Sequence, residues 1–291
     1  MSGERPVSCN NTDNVLRRRG DIISHYRAEA WEWLIRQRRH APHNADIWDL
    51  RFHKDKYLPA LWLKVTQGKY RLSPARVHRR SLKGDAIVQW SAADALVMKW
   101  VALKIKNSLP VQDSCVHVAG HHGGRDSLSK ITSALSEGTR FVWRTDIRGG
   151  YYRHIRKPML WAHVCRFVTD PILQSLIRQY IWYTVEDGGE FYTPPDGICR
   201  GSSLSPLLGA SYLWYVDTAF ARQENLFMSA IWMTFCFYLP GAGQSGVAFS
   251  NSGTTLTSPG LNAIRIKHSW AGWIKDLTGW ASGLMQRGPP G

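Results

Sequence analysis

Apolar positions recur at helical spacing near the start of the chain. Ile22, Ile23, Tyr26, Ala30, Trp33 and Leu34 fall near one face of a stretch covering residues 12–40. Arg36, Arg38 and Arg39 load its last turn and Pro42 follows, which predicts a helix stop. Two readings stand side by side. The helix lies on the surface with a favourable dipole, or, with the Arg17–Arg19 run nearby, it lies on phosphates. Residues 46–70 form a second amphipathic stretch around Trp48, Leu50, Leu58, Leu61 and Leu63, with Pro59 expected to break or kink it. Ala92 to Ile105 is apolar nearly all round and predicts a buried helix.

Further along, Phe141 to Ile147 has strand propensity and ends on an acid. Residues 158–184 return to a helical pattern rich in Leu, Ile and Val. Tyr192 to Ile198, with Pro194 and Pro195, predicts a loop or hairpin. Ser205 to Phe220 is a long apolar helix with Pro206 in its first turn and Ser205 placed to cap it. Asp217, late in that helix, is expected to make structural contacts. Residues 240–260 are rich in Gly, Ser and Thr and show no period.

Composition changes this picture in one place. The chain has 37 Lys+Arg against 22 Asp+Glu, a formal net charge of +15. Residues 228–291 hold five charged residues in 64, whereas the first 227 hold 54. An abrupt fall in charge within one chain needs a cause. The basic excess sits in the first part and points to a polyanionic partner, nucleic acid before membrane. The five cysteines (Cys9, Cys115, Cys165, Cys199, Cys236) form no CxxC pair and read as reduced thiols of a cytoplasmic protein. Glu4 to Arg19 lacks an apolar run, so no secretory leader is expected. Leu226 to Leu239 is uncharged but only 14 residues long, short of the roughly 20 that a spanning helix needs. No membrane partner is therefore expected, although an anchor within residues 226–249 is the alternative to test.

Two constellations carry candidate chemistry. In Thr145-Asp146-Ile147-Arg148-Gly149-Gly150-Tyr151-Tyr152, an acid closes a strand ahead of glycines and two aromatics. The Asp146 carboxylate can hold a divalent ion, the Ile147 carbonyl can assist, and an aromatic beyond can test the sugar of a nucleotide. In Gly197-Ile198-Cys199-Arg200-Gly201-Ser202-Ser203-Leu204-Ser205-Pro206, Gly201 allows close backbone approach, and the serines offer donors to phosphate or sugar. Arg76, His78, Arg79, Arg80 and Lys83 form a basic cluster in an expected hairpin or loop. Cys115, His117, His121 and His122 lie close together, but their spacing fits no standard structural zinc site.

Taken together, TDIRG…YY and, some 50 residues later, GICRGSSLSPLLGASYL resemble the palm motifs of reverse transcriptases. They resemble in particular those of bacterial group II intron-like enzymes, which read DIxxFF or DIxGYY and then QGSxLSPLLxNxYL. The resemblance covers roughly residues 70–227, after a basic helical region at 1–69. It implies an α+β right-hand polymerase, with helical fingers and a small antiparallel palm sheet. The implied activity is RNA-directed DNA polymerisation with two Mg²⁺ ions, dNTPs, an RNA template and a DNA or RNA primer. It implies metal binding at Asp146 and Ile147, and a sugar gate at Tyr151 or Tyr152. It implies nucleotide contacts at Arg200, Gly201 and Ser202, and template or triphosphate contacts at Arg76, Arg79, Arg80 and Lys83. Two departures stand out: Gly149-Gly150 is one glycine longer than the family spacing, and Arg200 replaces the usual Gln. The resemblance leaves the oligomeric state and the biological role open among mobile intron, defence system and orphan enzyme.

A third family motif, YxDD, is missing, and the sequence contains no Asp-Asp pair. Two metal ions need more than one carboxylate. Back-translation in a register that starts each codon at the third base of the old one accounts for the gap. Trp232–Met233 then must give Asp, and Met233–Thr234 must give Asp. Allowed codons extend the stretch after Phe227 to YVRYMDDFLF. In the same register Trp270–Ala271, Trp273–Ile274 and Trp280–Ala281 force Gly, Asp and Gly, and Ile266 to Leu284 can read KTFLGRMDKGFDWMGIWF. That resembles the segment following the catalytic strand in the family. The expectation is a single-base frameshift at Phe227. Residues 228–291 are then a poorly ordered tail without family fold, the palm lacks its central hairpin, the thumb is lost and the chain is inactive. A non-catalytic RNA-binding remnant is the alternative.

Overall fold

The computed structural model describes residues 25–79, 86–113, 115, 118, 133, 139–146, 155–221, 227–231 and 234–240. The fold is mixed α+β, and the chain forms two compact units. The first takes Met1–Ser108, Val168–Pro194 and Gly201–Leu204. The second takes Leu109–Phe167, Pro195–Arg200 and Ser205–Gly291. The boundary expected at residue 69 thus falls inside the first unit.

In the first unit, helix α1 covers residues 25–37, α2 spans Asp46–Phe52 and α3 spans Lys54–Thr66. The break in the second amphipathic stretch falls at His53, not at Pro59 as expected. Pro59 sits within α3, where it forgoes one backbone hydrogen bond. The helix continues past it because Leu61, Trp62 and Val65 are buried on the far side. Arg38, just after α1, donates from Nη1 to Asp46 Oδ1 at 2.9 Å and from Nη2 to the Trp90 carbonyl at 2.6 Å. Of the two readings of this helix, Arg38 follows the structural one.

Strands β1 (Ala75–Arg79) and β2 (Ala86–Gln89) pair antiparallel, as expected of a hairpin. Helix α4 (Ala92–Ile105) matches its expected span and carries the core: Leu96, Val97, Met98, Val101 and Ile105 are all buried. Two carboxylates fix its start. Asp46 Oδ2 accepts from the Ala92 N–H at 2.6 Å. Asp94 is buried, and accepts from the Tyr70 hydroxyl at 2.8 Å, the Ser91 hydroxyl at 2.6 Å, the Ser73 N–H at 3.2 Å and the Ser73 hydroxyl. That set ties the segment leading into β1 to the core helix.

The single helix expected over 158–184 is two, α5 (Lys157–Phe167) in the second unit and α6 (Pro171–Ile181) in the first. Asp170 explains the restart, since its side chain accepts from the N–H groups of Ile172 and Leu173 and Pro171 sits at the first helical position. Strands β4 (Val185–Asp187) and β5 (Glu190–Tyr192) follow as a hairpin across Gly188-Gly189, both at positive φ. The four-stranded sheet runs β2-β1-β4-β5, with β1 and β4 parallel.

The second unit holds β3 (Thr139–Asp146), α7 (Ser205–Ala221), β6 (Phe227–Ile231) and β7 (Thr234–Pro240). These strands form an antiparallel sheet of order β3-β7-β6. At the start of the tail expected to be poorly ordered, Phe227–Ile231 and Thr234–Pro240 form two paired strands. The reason is local: TFCFYLP is rich in aromatic, β-prone residues and pairs with β3, and Phe227–Ile231 pairs with it in turn. Residues 241–291 lie outside the described residues. Within the anchor alternative at 226–249, the described residues are strands. Among the described residues no helix is long and apolar enough to cross a membrane.

Candidate functional site

Asp146 closes β3, and its cross-strand partner is Thr234, the first residue of β7. Ile231, the last residue of β6, also pairs with Thr234. The ends of all three strands therefore align at Asp146, and Trp232 and Met233 link β6 to β7 in sequence. Ile147, Tyr151, Tyr152, Trp232 and Met233 lie outside the described residues. The sequence has no acid between Phe227 and Pro240, and among the described residues no group of three or more His, Cys, Asp or Glu could hold a metal ion. A two-ion magnesium site needs several hard oxygen ligands, and the described residues gather no such set.

The second motif is held by backbone conformation. The Gly197 N–H donates to the Ile155 carbonyl at 2.8 Å, and Gly197 has φ of 80°. The chain then passes from the second unit to the first between Arg200, which is exposed, and Gly201. Gly201 has φ of 78°, and no atom lies within 4 Å of where a Cβ would sit. Its glycine therefore serves the left-handed backbone, with no protein neighbour to avoid. Ser202 is buried, donating from Oγ to Met98 Sδ at 3.4 Å and accepting from the Leu204 N–H at 3.2 Å. Its hydroxyl is thus engaged within the fold. Ser205 is buried at the start of α7.

In the first unit, the basic cluster falls on the β1–β2 hairpin. Arg76 and His78 are exposed on β1; Arg79 ends that strand, and Arg80 and Lys83 lie outside the described residues. Arg76 Nε is 3.8 Å from Glu186 Oε2 on β4. That loose ion pair contributes little stability in water. The sequence reading missed β4 and β5, and with them Glu186 and Phe191. The signal was Asp187-Gly188-Gly189-Glu190, a two-glycine turn between β-prone residues.

Two buried titratable groups lie in the second unit. His163 on α5 shares a 2.7 Å hydrogen bond between Nε2 and the Ser211 hydroxyl of α7, and burial, with Arg166 nearby, pushes its pKa down to about 4. Asp217 on α7 is 1% exposed, and its Oδ1 has no hydrogen-bond partner among the described residues. Burial pushes its pKa up to about 7. Such a carboxyl is shut away from substrate. Cys115 is buried, while His117, His121 and His122 lie outside the described residues.

Neither a protein-family model nor a curated protein matches the chain. Among solved structures it is distantly similar to chains of two assemblies, a partial Cas6-RT-Cas1–Cas2 complex and the Cas6-RT-Cas1–Cas2 complex. In both, the TM-score is 0.44 and the identity 14% over 75% of this chain. This chain spans 37% and 23% of the respective matched chains.

Proposed function

We propose that this chain derives from a group II intron-like reverse transcriptase and, as encoded, is an RNA-binding protein that does not polymerise. The paired motifs at 145–152 and 197–208 support the ancestry. The observation that carries the reading is the alignment of Asp146 with Thr234 in a sheet whose linking residues, Trp232 and Met233, are those that the shifted frame turns into an Asp-Asp pair. In the parent, Asp146 and that pair would hold the two Mg²⁺ ions that serve nucleotidyl transfer from dNTPs onto a primer. In this chain Asp146 stands alone. What remains is a +15 protein with a basic hairpin, suited to phosphate contacts.

The test uses the full chain with an RNA template, annealed DNA primer, dNTPs and Mg²⁺. The expected result is salt-dependent RNA binding and no primer extension. Extension that survives purification and disappears with Asp146→Ala would overturn the inactive reading. Absence of RNA binding at low salt would overturn the binding one.

A further inference from the structure

The solvent face of the four-stranded sheet carries a row of side chains across all four strands. The register pairs Gln89 with Arg76, Arg76 with Glu186, and Glu186 with Phe191. Cross-strand partners share a face, and the Arg76–Glu186 approach agrees with this. The neighbouring row pairs Ile87 with His78. Residues of the opposite parity, Ala75 and Val185, are buried. The face is therefore open, and Phe191 is 62% exposed on it.

Phe191 presents a large aromatic surface to solvent on an edge strand, in the same row as the exposed Arg76. The charges on this face are also sorted. Arg76, its side chain 77% exposed, and His78 lie on β1, on the side of the basic hairpin. Asp187 and Glu190 are of the other parity. Among the described residues the acid on this face is Glu186, which is engaged by Arg76 and by the Gly189 N–H at 3.0 Å. Phosphate is thus attracted at one side, and a flat apolar ring waits two strands away, about 10 Å off at the usual strand spacing.

We infer that this face is a stacking platform for single-stranded nucleic acid, with a base on Phe191 and a phosphate at Arg76. The inference rests on the nucleic-acid reading above and moves recognition from the hairpin's charge to an aromatic on β5. Stacking on a ring tolerates any base, whereas the Arg76 contact contributes the salt-dependent part of binding.

The test is fluorescence anisotropy of the full chain with 5′-labelled 12-nucleotide oligo(U), oligo(dT) and a 12-base-pair duplex over a range of NaCl. Phe191→Ala is expected to weaken single-strand binding roughly 5- to 150-fold with an unchanged salt slope. Phe191→Trp is expected to restore it. Arg76→Gln should shallow the slope by about 0.7. Comparison of oligo(U) with oligo(dT) tells whether RNA or DNA is preferred. Circular dichroism of each variant checks that the fold is kept, as expected for exposed positions. If the wild type binds no oligonucleotide at low salt, the nucleic-acid reading itself falls. If it binds while Phe191→Ala binds equally well, or if duplex is preferred regardless of Phe191, only the platform is overturned.

Discussion

Asp146, the last residue of β3, pairs with Thr234, the first residue of β7, while Thr234 also pairs with Ile231 at the end of β6. Three strand ends therefore meet at Asp146. The encoded sequence supplies one acid there. The β6–β7 hairpin pairs with β3 through the backbone partners of Phe227–Ile231 and Thr234–Pro240.

Restoring one base at the Phe227 codon is therefore expected to return an Asp-Asp pair beside Asp146 and, with it, primer extension in Mg²⁺. In that restored chain Asp146→Ala should reduce extension to background, about 10³-fold or more, since a metal ligand acts as part of a unit. Gel-resolved extension products measure both. A restored chain that folds and binds template–primer but adds no nucleotide would count against the frameshift account.

Asp94 presents a different sort of dependence. Its buried carboxylate accepts hydrogen bonds from Tyr70, Ser73 and Ser91, and so holds the approach to β1 against α4. Asp94→Ala would strand several buried donors at once. A loss of about 3–5 kcal/mol in the first unit is expected, read as a lower urea midpoint. Asp94→Asn keeps the shape and part of the bonding, so its loss should be smaller. Equal midpoints for wild type and Asp94→Ala would contradict the bonding described.

The elements legible in the sequence were those whose pattern is decided locally. Helix α4 is apolar nearly throughout, β3 is a β-prone run closed by an acid, and α7 opens with Ser205-Pro206. The place of Asp146 at the end of β3 was legible from strand propensity. What escaped was punctuation. Asp170-Pro171 restarts a helix within an unbroken apolar period, and Gly188-Gly189 turns a hairpin between strands of three residues each. Phe191 and Glu186 escaped with that hairpin, because what places them beside Arg76 is a parallel pairing between residues more than 100 positions apart. The β6–β7 hairpin escaped because a shifted frame was taken to mean lack of structure, whereas pairing depends on β-prone residues and a waiting edge.

Gly201 gives a narrower prediction. At φ of 78° a Cβ is disfavoured by the backbone itself, although no neighbour would be struck. Gly201→Ala should therefore cost about 1–2 kcal/mol. A denaturation series compares it with Ser203→Ala, which changes no special φ. If Gly201→Ala is neutral, the positive φ is not held in solution.

His163 and Asp217 make opposite contributions to stability as pH changes. Burial raises the Asp217 pKa from an ordinary 3.8 to about 7, so between those values the folded protein keeps a proton that the unfolded chain has released. Stability from Asp217 is full below about pH 4 and is lost as pH rises to about 7, at about 1.4 kcal/mol per pH unit. Burial lowers the His163 pKa from 6.5 to about 4, so the unfolded chain binds the extra proton in that window. Stability from His163 is full above about pH 6.5 and is lost as pH falls to about 4. Between pH 4 and 6.5 the two slopes nearly cancel, and each should reappear when the other group is removed. Relative to wild type, Asp217→Asn should gain about 2–3 kcal/mol of stability on going from pH 4.5 to 6.5, and His163→Gln should lose a similar amount. Urea unfolding at a series of pH values measures both differences. Profiles of Asp217→Asn and wild type that run parallel over this range would show that Asp217 does not hold its proton in the folded state.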